Sequence, residues 1–277
     1  MNDLEQAKAK AAMTYNAAAD YFDHPVSSFW HCFGRQTVER IDLRPGERVL
    51  DVCSGSGGSA LPAAEQVGPD GQVVAADLAE CLIALAVAKA ENKGLENIEF
   101  RVADMLDLGY PDASFDAVVC VFGIFFVPDM TAAVRELWRM VKPGGRLAIT
   151  TWGPDLFEPA NSAFWDAIAD VRPDLQRGFN PWERISEPSG LREMLAEAGI
   201  YNADIAAESG THPLTSPEDW WAIAMGSGYR GTLAQLDAEA LTLVRKKNLA
   251  QLDESQVDAI ATNVIYAVAR KEAVSQI

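Results

Sequence analysis

Basic residues are scarce in this chain. Its 23 Lys and Arg face 40 Asp and Glu, a formal charge of −17 over 277 residues. No nucleic-acid partner is expected, because phosphate binding needs a concentrated basic surface. The tight cluster Arg245-Lys246-Lys247 reads as a solvated helix face. The 3 histidines form no metal-ligand pattern. Cys32, Cys53, Cys81 and Cys120 have no paired spacing and are expected to be reduced, as in a cytoplasmic protein. No long apolar run is present, so stable membrane insertion is not expected. The charged stretch from Met1 to Lys8 has no apolar segment of the kind a secretory signal needs.

Hydrophobic residues make up 49% of the chain, enough for a sizeable core. Short apolar runs at 48–53, 73–77, 98–103, 117–122 and 146–151 read as strands. Between them, 59–67, 79–93 and 131–140 read as helices, the second ending at Gly94, a plausible C-cap. This βαβ rhythm predicts an α/β fold with a doubly wound, mostly parallel sheet. Pro143-Gly144-Gly145 reads as a turn into the fifth strand. Beyond Trp152, helices are expected at 157–171, 189–198, 217–225 and 233–249, with strands at 201–207 and 264–269. Ahead of the first strand, helices are expected at 4–20 and 33–41. The chain is taken as one domain: an N-terminal helical cover (1–45), a cofactor-binding core (46–152), and an inserted helical cap with final strands (153–277).

The chemistry concentrates at the end of the first strand, R-V-L-D-V-C-S-G-S-G-G-S-A from Arg48 to Ala60. Gly55, Ser56 and Gly57 let backbone approach a ligand, and the following helix offers unpaired N–H groups. Asp77 lies where a ribose-binding acid belongs. A nicotinamide dinucleotide and S-adenosylmethionine both fit such a turn. Asp51 disfavours the first: a carboxylate before the turn repels a pyrophosphate but suits an ammonium group. Asp104, after the third strand, can accept from an exocyclic adenine amine while Met105 packs on the base. No Tyr-x-x-x-Lys pair occurs, so the commonest short-chain dehydrogenase chemistry has no carrier.

Together, V-L-D-V-C-S-G-S-G (49–57), V-V-A-A-D-L-A (73–79), V-A-D-M (102–105), P-D-A-S-F-D-A-V (111–118) and V-K-P-G-G-R-L (141–147) resemble the class I S-adenosylmethionine-dependent methyltransferases. The likeness is to the ubiquinone/menaquinone-biosynthesis type and its small-molecule relatives, and is strong over 35–152. It implies a seven-stranded Rossmann-like sheet and S-adenosyl-L-methionine as cofactor. By position it implies that Asp51 and the loop through Gly57 hold the methionine part, and that Asp77 binds the ribose hydroxyls. Leu78 would lie against the adenine, Asp104 would read its amine, and Phe122 would line the wall near the methyl group. Cys53 departs from the family's D-x-G-x-G-x-G at the first glycine; it is expected to keep an ordinary negative φ and to pack as a small buried hydrophobe. An NAD(P)-dependent oxidoreductase and a non-catalytic cofactor binder remain the alternatives.

The acceptor side is less marked. Tyr15, Tyr21, Trp30, His31 and Arg35 form a candidate cover, with Arg35 placed to pair the cofactor's carboxylate. His31, Tyr21 and Asp155 are the candidate catalytic residues, His31 because an imidazole titrates near neutrality. Tyr15, Trp30, Phe126, Trp152, Phe157 and Trp182 are candidate substrate contacts, implying a small apolar or aromatic acceptor. His24 and His212, each before a proline, read as loop histidines. Trp220 and Trp221, adjacent on a helix, are expected to bury only part of their area on one face. No Asn-Pro-Pro-Tyr segment follows the fourth strand, and a homodimer is left open.

Overall fold

The computed structural model describes residues 3–176 and 180–273. Two helices come first, α1 (Asp3–Phe22) and α2 (Phe29–Ile41). The core follows as β1 (Arg48–Val52), α3 (Ala60–Val67), β2 (Gln72–Asp77), α4 (Glu80–Lys93), β3 (Ile98–Val102), β4 (Phe115–Val121), α5 (Met130–Met140) and β5 (Val141–Trp152). The remainder is α6 (Ala160–Val171), α7 (Pro188–Glu197), β6 (Asp204–Glu208), β7 (Thr211–Pro213), α8 (Pro217–Met225), α9 (Arg230–Leu233), α10 (Ala238–Glu254), β8 (Ala259–Ala261) and β9 (Val264–Arg270).

Seven strands form one sheet in the order β3-β2-β1-β4-β5-β9-β6. The first five pair in parallel, and β9 runs antiparallel to both β5 and β6. The expected mostly parallel, seven-stranded α/β architecture is the one found. β1 and β4 are fully covered, with Val49, Leu50, Val118, Val119 and Cys120 at 0% exposure, which is why they read as unbroken apolar runs. Helix α5 shows the logic of the flanking layer. Asp129 caps it by accepting from the Ala132 N–H at 2.8 Å, and Ala133, Leu137 and Met140 recur on the face that meets the sheet. Burial of Leu137 and of Met140 contributes about 1.5–3 kcal/mol each, and of Ala133 less. Chain order reverses between β1 and β4, so a crevice opens at the carboxyl ends of the central strands.

Several local expectations differ from the structure. The Pro143–Gly145 turn is absorbed into β5, where pairing with β4 shifts register between Phe115 and Ala117. The helix read over 233–249 is two, because Asp237 accepts from the Ala240 N–H and starts α10 afresh. His212 is not in a loop but on β7, which pairs with β8 in a two-stranded ribbon; its ring meets Phe29 edge-on at 5.2 Å, and burial lowers its pKa. Trp220 and Trp221 are both buried, Trp220 donating to Asn248 at 3.0 Å, because α8 packs against the short 3-10 turn Pro25–Ser27, α1 and α10 on more than one side. In the basic cluster, Arg245 pairs with Glu218 and Lys247 with Asp170 on the surface. No described helix is long and apolar enough to cross a membrane.

Candidate active site

A cavity of about 370 Å³ opens at the carboxyl ends of β1, β2, β4 and β5. Helix α1 lies along it, contributing Lys8, Ala11, Tyr15 and Phe22 at the three-, four- and seven-residue spacing of one helical face. Helix α2 contributes Trp30 and Gly34, one turn apart. Gly34 rests against the backbone of Gly58 in the glycine loop, with no room for a side chain between them.

At one end the glycine loop and Asp77 converge. One Asp77 oxygen accepts the Gly55 N–H at 2.9 Å and the other the Ala79 N–H at 2.8 Å. Burial pushes this carboxyl up, and its backbone partners pull it back without cancelling the rise. Asp104 accepts the Leu106 N–H at 2.9 Å and pairs with Lys8 of α1 at 2.5 Å. Leu78 and Met105 complete this part of the wall.

Cys53 lines the cavity, but its φ is +54°, not the ordinary negative value expected. The tight turn after β1 demands the left-handed region whichever residue stands there, at a cost of roughly 1–2 kcal/mol for a side chain. Compensating contacts surround the thiol: Met105 Sδ lies 3.3 Å away and the Cys120 thiol faces it. Contact with Cys120, then burial, raises its pKa. A half-buried thiol held protonated is a poor nucleophile. We therefore expect a disulfide reagent at pH 7.5 to titrate two thiols quickly, those of exposed Cys32 and Cys81, the half-buried Cys53 far more slowly, and buried Cys120 only on unfolding. Rapid labelling of Cys53, read by peptide mass, would refute this.

Asp51 does not line the cavity; it sits beneath the loop at 1% exposure. One oxygen accepts from the Ser59 hydroxyl at 2.7 Å, and the other has no partner among the described residues. Burial pushes its carboxyl up to about 7 despite the Ser59 bond, with Asp77 adding to the rise. An unfolded aspartate ionises near 3.9, so this group withdraws stability as pH climbs from about 4 to 7 and no further above that. Relative to the parent, Asp51→Asn should gain stability across this window, on the order of 4 kcal/mol by its upper end. Urea midpoints at pH 4.5, 6 and 8 check it; parallel profiles would mean the carboxylate is ionised in the fold at little cost.

The other end is aromatic. Phe122 and Trp152 stack at 3.9 Å, and Trp30 stacks on Phe22 at 5.6 Å. Tyr15, Phe126, Phe157 and Trp182 also line the cavity. The cavity thus brings together Cys53, Gly55, Ser56, Asp77, Leu78, Asp104, Met105 and Phe122 with all six expected substrate contacts.

Five other expected residues are not in its lining. Gly57 shapes the turn at φ +87° without facing the space. Arg35 is exposed, so it does not reach the site as read from sequence; His31 likewise turns away, because each follows a cavity-facing residue of α2 by one position, a rotation of about 100°. The same offset separates Tyr21 from Phe22 on α1. Asp155 is exposed on a left-handed turn at φ +59°.

Sequence reading missed Asp23. Its carboxylate accepts from the Ser56 hydroxyl at 2.7 Å, pairs with Lys89 at 2.8 Å, and lies 3.2 Å from His31 Nε2. Burial would raise its pKa, but His31, Lys89 and Ser56 together hold it at about 2. Asp23 thus ties the end of α1, α2, the glycine loop and α4 into one knot. Its partners come from three elements, so no local motif marks it.

Residues 6–177 match the ubiE/COQ5 methyltransferase family. The chain is 32% identical over 196 residues to the ubiquinone/menaquinone biosynthesis C-methyltransferase UbiE of Cronobacter sakazakii, covering 70% of this chain and 74% of that one. It is 34% identical over 138 residues to nocamycin O-methyltransferase of Saccharothrix syringae, covering 50% of this chain and 49% of that relative, so it spans about half that protein's length. Among solved structures, the YcgJ protein of Bacillus subtilis superposes with a TM-score of 0.58 at 20% identity, covering 87% of this chain and 99% of that one, a likeness of fold.

Proposed function

Because the chain belongs to the ubiE/COQ5 methyltransferase family, we propose that it transfers a methyl group from S-adenosyl-L-methionine to a small, apolar or aromatic acceptor. The observation that carries this reading is a single cavity with a glycine loop and two acids at one end and an aromatic wall at the other. The residues fit the cofactor. Asp77 takes the ribose hydroxyls, Leu78 and Met105 flank the adenine, and Asp104 reads its amine while sharing its carboxylate with Lys8. Asp51, beneath the loop with one oxygen unpartnered, would ionise more readily once an ammonium group lies over the loop, and would then supply it with negative charge.

The cofactor supplies a sulfonium-bound methyl group, which passes to the acceptor's electron pair as the carbon–sulfur bond breaks and its electrons return to sulfur. The protein's share is alignment and exclusion of water. Phe122, Trp30 and Trp152 wall the space beyond the loop, and α1 covers it. None of His31, Tyr21 and Asp155 lines the cavity, so none is placed to take a proton from the acceptor. The relatives' names span methylation at carbon and at oxygen, and the acceptor atom is left open. A small molecule is the partner proposed, with no role for nucleic acid.

Calorimetry with adenosylhomocysteine and with NAD tests the reading. Binding of the first at micromolar order, and none of the second, is expected; the reverse would make the chain an oxidoreductase. Binding without methylation of any acceptor across a broad phenol, enol and quinol panel would favour a non-catalytic role.

A further inference from the structure

Among the polar groups in the cavity wall, one is held by three hydrogen bonds. Asn161, in the first turn of α6, forms part of the wall together with Trp165 and Tyr229. Its Oδ1 accepts from the Tyr229 hydroxyl at 2.7 Å and from the Trp165 indole N–H at 3.1 Å. Two donors on one atom fix which end of the amide is oxygen. Its Nδ2 donates to Glu158 at 2.8 Å. Glu158 is held in turn, accepting from the Ser162 hydroxyl at 3.0 Å and its N–H at 3.2 Å. An amide nitrogen carries two hydrogens. The second has no acceptor among the described residues.

The geometry points to Asn161 as the polar anchor that orients the acceptor, selecting planar molecules that carry a hydrogen-bond-accepting oxygen, such as a ring carbonyl, over the matching hydrocarbons. This rests on the aromatic end being the acceptor's. Three hydrogen bonds hold the amide rigid, so its remaining donor is preorganised and needs no rearrangement to meet a ligand. The walls around it, Trp152, Phe157, Trp165 and Trp182, are flat and apolar and offer such a ligand faces to lie against. Asn161 is half-buried, and a ligand lying over it takes its donor out of water; a donor then left unpaired is penalised, so a site of this kind rejects the analogue that lacks the oxygen. Asn161 does not touch the reacting atoms by this account; it is a positioning residue, set apart from the cofactor loop.

The test uses 1-tetralone and tetralin, which share a skeleton and differ by one carbonyl. Their dissociation constants are measured by equilibrium dialysis against the full chain saturated with adenosylhomocysteine. Asn161→Leu removes the donor, and Asn161→Asp with Glu158→Gln keeps the shape and the Tyr229 and Trp165 bonds while removing it. Expected is a shift of at least tenfold in the tetralone-to-tetralin affinity ratio, towards tetralin, in both variants, with adenosylhomocysteine affinity unchanged. Should Asn161→Leu fail to fold, the double variant decides alone. An unchanged ratio in the folded variants overturns the proposal. If adenosylhomocysteine fails to bind but the ratio measured without it still shifts, the methyl-transfer reading falls and the anchor stands.

Discussion

Asp77→Ala is expected to weaken adenosylhomocysteine binding by about 100-fold, the loss of roughly 2.7 kcal/mol. One side chain is in two structures at once. It receives the Gly55 and Ala79 N–H groups, which sets the glycine loop against the start of the next helix, and it faces the cavity. Bonds to a carboxylate are worth about 1.5–3 kcal/mol each, so losing the ribose contacts alone accounts for the effect. The truncation also strands two backbone donors and is expected to lower stability by about 2 kcal/mol. Asp77→Asn separates the two: its oxygen can serve one N–H, but its amide nitrogen opposes the other. Titration calorimetry alongside urea unfolding makes the measurement. Wild-type affinity in a folded Asp77→Ala protein would remove the ribose from this end of the cavity, and the cofactor assignment with it.

The second large effect is expected at Gly34→Ala, about 3 kcal/mol of destabilisation together with loss of cofactor binding. A methyl group at this position would fall on the Gly58 carbonyl and lie 2.8 Å from the Ser59 nitrogen. These are backbone atoms, with no rotamer to move aside. Either α2 lifts from the loop or the loop leaves its place. Gly46→Ala is the control. Unlike helical Gly34 it has a left-handed backbone, at φ +81°, but its Cβ meets nothing within 4 Å, so only the backbone term of about 1–2 kcal/mol applies. Equal costs at the two positions would mean that α2 does not bear on the loop.

The parts of this molecule legible in the sequence are those governed by local rules. β1, β2 and β4 are covered on both faces and so read as apolar runs; Asp77 and Asp104 stand at fixed places after strands. What was illegible depends on rotation or on distant partners. Trp30 and His31 are adjacent in sequence and a third of a turn apart in space, and only the start of α2 at Phe29 decides which of them faces inward. Arg35 was misplaced for the same reason. Gly34 reads as a flaw in a helix, since glycine costs about 1 kcal/mol against alanine there; its use appears only when Gly58 arrives beside it. Cys53 shows the opposite limit, a residue type that argues for ordinary backbone where the turn imposes otherwise.

The position of β9 bears on how the chain assembles. Among the described strands, β6 joins the seven-stranded sheet through β9 alone, although β9 is made much later. A ribosome therefore releases β6, the short ribbon strand β7 and helices α8 to α10 before β6 has an edge to join. Until β9 docks, the flank of β5 that it will cover carries unpaired backbone groups, a surface open to pairing with another chain. The outer part of the sheet is thus closed by pairings of long sequence separation that need residues 264–270, whereas all five parallel strands that frame the cavity have been synthesised by residue 152.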